Sequence, residues 1–145
     1  MTLTAASPAL LLDTCAVMWL ATKAPIGAAA VERIVKAAMV GAIFVSPISA
    51  WEIGLLSRPR AGRTHQFLPD PVTWFARFMA GPGIRPAPFT AEIAIASSLL
   101  PEPLHGDPAD RLLIATARSM NLPIMTRDGL IRAYAEAGHL EVIVC

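Results

Sequence analysis

The chain has 145 residues, a formal net charge of +1 and 54% hydrophobic residues, with a mean hydropathy of +0.53. That length fits one domain with a substantial core, and a charge so close to zero neither demands nor excludes nucleic acid. No stretch reaches the roughly 18 uncharged apolar residues of a membrane-spanning helix, and no Lys or Arg precedes the first apolar run as in a signal peptide, so a cytoplasmic protein is expected.

The first apolar run, Ala9–Leu12, reads as a strand that ends on Asp13, with a helix from Thr14. A second helical stretch covers Gly27–Met39. Ile43–Val45 is a second strand. Ser46-Pro47 then supplies an N-cap followed by the proline favoured at the first helical position, which places Glu52 in the second turn between Trp51 and Ile53. A proline-rich connection from Pro59 to Pro71 gathers Arg58, Arg60, Arg63 and His65, with no acid between Glu52 and Asp70.

Helices are expected over Pro71–Ala80 and Thr90–Leu99, with the short extended piece Ile84-Arg85-Pro86 between them. Asp107-Pro108 repeats the cap-and-proline start ahead of a helix reaching Met120, with Asp110 in its first turns. Pro123–Met125 is a further strand, Asp128 precedes a helix from Gly129, and Glu141–Val144 closes the chain. Alternating strands and helices predict a three-layer α/β/α sandwich with a parallel sheet of about four to five strands. Residues 1–145 form one domain without repeats. Cys15 and Cys145 stand alone, outside any CxxC or zinc-ligand spacing.

Parallel α/β sheets bind ligands at the carboxyl ends of their strands, and Asp13, Glu52, Asp110 and Asp128 all fall at that edge. Each has a structural reading. Asp13 and Asp128 can cap helices, and Ser49-x-x-Glu52 matches a capping box. Thr14 and Thr126 either bond the carboxylates or serve as caps, and His105 reads as a loop residue. Trp19, Trp51, Trp74, Phe75 and Phe78 read as core or interface. Arg58, Arg60 and Arg63 are either solvated surface or a phosphate-gripping loop, and Arg111 either orients Asp110 or touches a phosphate.

Clustered anions without Lys or Arg call for a divalent metal. Hard carboxylate oxygens suit Mg²⁺, with Mn²⁺ as the alternative, and such ions support in-line attack on a phosphodiester. No GxxxxGK[ST] or GxGxxG motif is present. Cys15 stands where a haloacid-dehalogenase phosphatase carries Asp or Thr, and with Lys23 and Lys36 the only lysines, the late lysine of that family and of response-regulator receivers is missing.

Four ordered motifs resemble the PIN-domain ribonucleases, specifically the VapC-type toxins: Leu10-Leu11-Leu12-Asp13-Thr14, Ser46-Pro47-Ile48-Ser49-Ala50-Trp51-Glu52-Ile53, His105-Gly106-Asp107-Pro108-Ala109-Asp110-Arg111-Leu112-Leu113-Ile114-Ala115, and Leu122-Pro123-Ile124-Met125-Thr126-Arg127-Asp128. The resemblance implies a PIN-like domain and a Mg²⁺-dependent endoribonuclease toxin cutting a structured RNA, tRNA or rRNA. Asp13 and Asp110 would be the principal metal ligands, with Glu52 and Asp128 completing the site. It further implies a cognate antitoxin and a homodimer. Cys15 departs from the His often found after Asp-Thr. Two other readings stay open: a catalytically weak scaffold that binds RNA or protein, and a metal-dependent phosphatase or DNA nuclease.

Overall fold

The computed structural model describes residues 7–60 and 65–145. Five short strands form one wholly parallel sheet: β1 (Leu10–Leu12), β2 (Ile43–Val45), β3 (Ile84–Pro86), β4 (Ile124–Thr126) and β5 (Val142–Val144). Their spatial order is β3-β2-β1-β4-β5. Seven helices connect them: α1 (Thr14–Thr22), α2 (Ala28–Met39), α3 (Pro47–Leu56), α4 (Pro71–Met79), α5 (Ala91–Ser98), α6 (Pro108–Met120) and α7 (Gly129–Glu136). The expected α/β/α sandwich is therefore present, with strand ends shifted by about a residue.

The central strand explains the two-sided core. Successive strand residues face opposite sides, and all three leucines of β1 are fully buried. Leu11 joins Ile93, Leu113, Ile114, Ile131 and Tyr134 on the face covered by α5, α6 and α7. Leu10 and Leu12 join Val17, Ala30 and Ala37 on the face covered by α1, α2 and α4. Helix α3 serves both cores, giving Ile48 to the first and Ile53 to the second. At roughly 1.5–3 kcal/mol per buried aliphatic side chain, the β1 leucines are a main anchor of the fold.

The edge strand β3 ends in Pro86, a residue tolerated only at sheet edges. It is held close to α2 by Gly83, whose φ is +78° and whose absent Cβ would lie 2.5 Å from the backbone of Ala38. No helix among the described residues is long and apolar enough to cross a membrane.

The topology positions the site. The chain passes from β1 to β2 to β3 on one side, then crosses to β4 on the other side of β1. The switch point of the sheet thus lies between β1 and β4, the place where open α/β sheets form a binding crevice.

Candidate active site at the carboxyl edge of the sheet

Asp13 leaves β1 at this switch point and is buried. It is both a cap and a member of the acidic group. Its Oδ1 accepts from Ala16 N at 2.7 Å, capping α1, while its Oδ2 accepts from the Thr126 hydroxyl at the end of β4. Thr126 Oγ1 in turn accepts from Asp128 N at 3.0 Å. One buried hydroxyl thereby ties the acid after β1 to the loop carrying the acid after β4. Asp128 caps α7 through Oδ1, bonded by Leu130 N and Ile131 N at 2.9 and 3.0 Å.

Glu52 reaches the same edge from α3. Ser46, with Pro47, caps that helix by accepting from Ile48 N at 3.0 Å, so the Ser49 capping box does not form. Ser49 is instead buried against Thr14, their oxygens 3.0 Å apart. Thr14 Oγ1 lies 2.5 Å from Glu52 Oε1. A threonine has one hydroxyl proton, and an ionised carboxylate only accepts, so Thr14 donates to Glu52 and receives from Ser49.

Asp110 enters from the first turn of α6, whose N-cap Asp107 accepts from Asp110 N at 3.1 Å. Its Oδ2 is bonded to His105 Nε2 at 2.8 Å. In the sequence this histidine reads as a loop residue; it does lie in the loop before α6, and the structure adds its ring's bond to Asp110. The usable signal is its position two residues before the cap, from which the ring reaches back to a first-turn side chain.

The carboxyls act on one another. Burial pushes the Asp13 carboxyl above its ordinary value, opposed by bonds from Thr126 and Ala16 and assisted by Asp110 and Asp128. Burial likewise raises Glu52, against the Thr14 bond, with Asp110, Asp107 and Asp13 adding to it. Asp110 is raised by burial, lowered by His105, and raised again by Asp107 and Asp128. The Cys15 thiol is pushed up to about 11 by burial and then by all four acids. It therefore stays protonated in the midst of the group.

No Lys or Arg pairs with any of the four acids among the described residues. Nor, among those residues, do three His, Cys, Asp or Glu side chains form a metal-ligand cluster as they stand. The fit to a divalent cation rests on the donor set: hard oxygens, mutual repulsion, and raised carboxyls that a cation would relieve. No buried side-chain oxygen among the described residues lacks a partner, so the unbonded oxygens of Glu52, Asp110 and Asp128 are open to solvent, where an incoming ion can draw them together.

The arginines behave differently from one another. Arg58 and Arg60 are exposed just beyond the end of α3. Arg63 lies outside the described residues. Of the two roles open to Arg111, orienting Asp110 or touching a phosphate, its bonds in the fold favour the first. Its Nε donates to Ser97 O at 2.9 Å, Nη1 to Leu104 O and His105 O at 3.4 and 3.3 Å, and Nη2 to Glu102 at 3.2 Å. Its planar fork meets three carbonyls and one carboxylate with four of its five donors. Arg127, which the sequence does not single out, stacks 4.0 Å over Trp19 and bonds Cys145 O and Pro25 O, steadying the loop of Asp128.

The acids occupy an open edge. A hollow of about 840 Å³ lined by Arg33, Arg118 and His139 lies by the amino end of β4, and an apolar one of about 850 Å³ runs beside α1, α2 and α4. Neither includes an acid of the group.

A family model described as the PIN domain matches residues 10–137. No curated protein matches the chain by sequence. Among solved structures, the chain is similar to VapBC2 from Rickettsia felis bound to a DNA fragment from its promoter, with a TM-score of 0.62 and 12% identity over 93% of this chain and 97% of that one. It is also similar to DNA-bound VapBC from Salmonella typhimurium, with a TM-score of 0.60 and 16% identity over 94% and 97%. At such identities the likeness establishes a shared fold.

Proposed function

The chain belongs to the PIN domain family, and on that premise we propose that it is a metal-dependent endoribonuclease of the VapC type, the toxin of a toxin–antitoxin pair. The observation that carries this reading is the convergence of Asp13, Glu52, Asp110 and Asp128 on the switch point without a pairing Lys or Arg among the described residues. Such a group repels itself, and a divalent cation relieves that repulsion. Its open setting suits a polymer substrate, which needs an edge and not an enclosed cavity.

Asp13 and Asp110 would be the principal ligands for Mg²⁺ or Mn²⁺, with Asp128 and Glu52 completing the site by holding metal-bound water. A divalent ion there supplies Lewis acidity and charge neutralisation at a scissile phosphate. The chain's own part is orientation. Thr126 and the α1 backbone hold both Asp13 oxygens, so the first ligand is rigid. Thr14 holds Oε1 of Glu52, leaving Oε2 to position a water and take its proton. Burial raises the Glu52 carboxyl above its ordinary value, and proton transfer by a positioned carboxylate is a usual role in such hydrolysis.

Arg58 and Arg60, exposed just beyond α3, would supply the charge that meets the RNA backbone. The partner is an antitoxin. The hollow beside α1, α2 and α4, lined by Leu20, Ile34, Val35, Met39, Trp74 and Phe78, offers it an apolar seat, and the fold is shared with toxins whose structures are described as VapBC complexes.

The test is expression of wild type and Asp110→Asn in bacteria without an antitoxin, with mapping of new RNA 5′ ends. Growth arrest and discrete ends in the wild type alone are expected. Cleavage retained by soluble, folded Asp110→Asn would remove the assignment.

A further inference from the structure

Asp110 differs from the other acids in how it is held. Its carboxylate is bonded by a histidine whose backbone carbonyl is itself held. Rotation about the last bond of an Asp side chain is soft, so an unbraced carboxylate turns among many orientations. His105 Nε2 fixes Oδ2 at 2.8 Å. Because an ionised carboxylate only accepts, that ring nitrogen carries the hydrogen. The two side chains are largely enclosed, 17% and 23% exposed.

The backbone of the same histidine is gripped from behind. Arg111 Nη1 bonds the carbonyls of His105 and Leu104, its Nε bonds Ser97 O in the last turn of α5, and its Nη2 reaches Glu102. Glu102 in turn accepts from Leu104 N at 2.8 Å. The loop between α5 and α6 is thus closed around one guanidinium, and His105 is held at carbonyl and ring alike. Arg111 directly follows Asp110 in α6, so the acid and its brace share one rigid helical turn.

We propose that His105 and Arg111 are positioning residues which fix the plane of the Asp110 carboxylate, turning its unbonded Oδ1 to a divalent cation. Arg111 sets the loop, the loop sets the ring, and the ring sets the ligand. The inference rests on the reading of Asp110 as a metal ligand. Partners of this kind, one bond removed from a metal, typically change affinity about 10–100-fold when removed.

The experiment is Mn²⁺ titration by calorimetry on purified wild type, His105→Ala, His105→Gln and Arg111→Lys, with the metal-free thermal midpoint of each. His105→Ala should bind Mn²⁺ about 10–100-fold more weakly. His105→Gln, whose amide nitrogen reaches the place of Nε2, should recover most of the loss. Arg111→Lys keeps the charge but cannot span three carbonyls, so it should weaken binding in the same direction even where His105→Ala folds poorly. Equal affinity in wild type and His105→Ala overturns the brace, and so does a loss that Gln fails to recover. A wild type that does not bind Mn²⁺ overturns the metal-site reading itself, so the two failures are told apart.

Discussion

Thr126→Val keeps the shape of the side chain and removes one hydroxyl, which in the structure serves two partners at once. It donates to Asp13 Oδ2 and accepts from Asp128 N. A bond to a charged group contributes about 1.5–3 kcal/mol and a neutral one about 0.5–1.5 kcal/mol. Val should therefore cost about 2–4 kcal/mol, a drop in thermal midpoint on the order of 10 °C for a chain of this size. The sign with pH follows from Asp13. Its folded carboxyl already titrates above the unfolded value of 3.8, and the Thr126 bond is what pulls it down. Without that bond burial raises it further, and the folded mutant binds its proton up to a higher pH. The mutant consequently loses stability relative to wild type as pH rises between the two folded values, and the deficit is smallest in acid. Urea unfolding of wild type, Thr126→Val and Thr126→Ser at several pH values reads this directly. A Val variant within about 0.5 kcal/mol of wild type, or a deficit that does not grow with pH, refutes the reasoning.

Asp13, Glu52 and Asp110 all titrate above their ordinary values in the fold, so the metal-free native state binds more protons than the unfolded chain just above those values. Stability should fall as pH rises through that window. Asp110→Asn should flatten the fall, and an unchanged slope in the mutant would contradict it. Mn²⁺ at about 100 times its Kd should restore about 2.7 kcal/mol at neutral pH. For the RNA surface, replacing Arg58 and Arg60 by Ala should lower the slope of log K against log salt on single-stranded substrate, by about 0.7 for each phosphate the pair neutralises. Binding with an unchanged slope would leave both as ordinary surface.

Much of the architecture is legible in the sequence because its signals are local. Cap-and-proline starts at Ser46-Pro47 and Asp107-Pro108 set two helices to the residue, since the cap oxygen and the fixed proline φ act within one turn. The short apolar runs Ala9–Leu12, Ile43–Val45 and Pro123–Met125 between turn signals read as strands. Alternation of strand and helix then forces a parallel sheet, and with it the edge where the four acids meet. The sequence leaves open whether Asp13 and Asp128 cap or serve the site. The geometry lets each do both, because a carboxylate has two oxygens and a cap uses one.

Other pairings are decided only in three dimensions. Thr126 lies 113 residues from Asp13, and Thr14 lies 38 from Glu52; no spacing rule reaches that far. The sequence leaves Arg111 between orienting Asp110 and touching a phosphate, because it carries the charge but not the carbonyls that the guanidinium meets in the fold. His105 looks idle there because its partner is found only once the loop behind it is folded closed. Residue types and their order determined which groups the chain brings to the edge. Which of their hydrogen bonds remain for a ligand was decided by packing, because every buried donor and acceptor must first be satisfied within the fold.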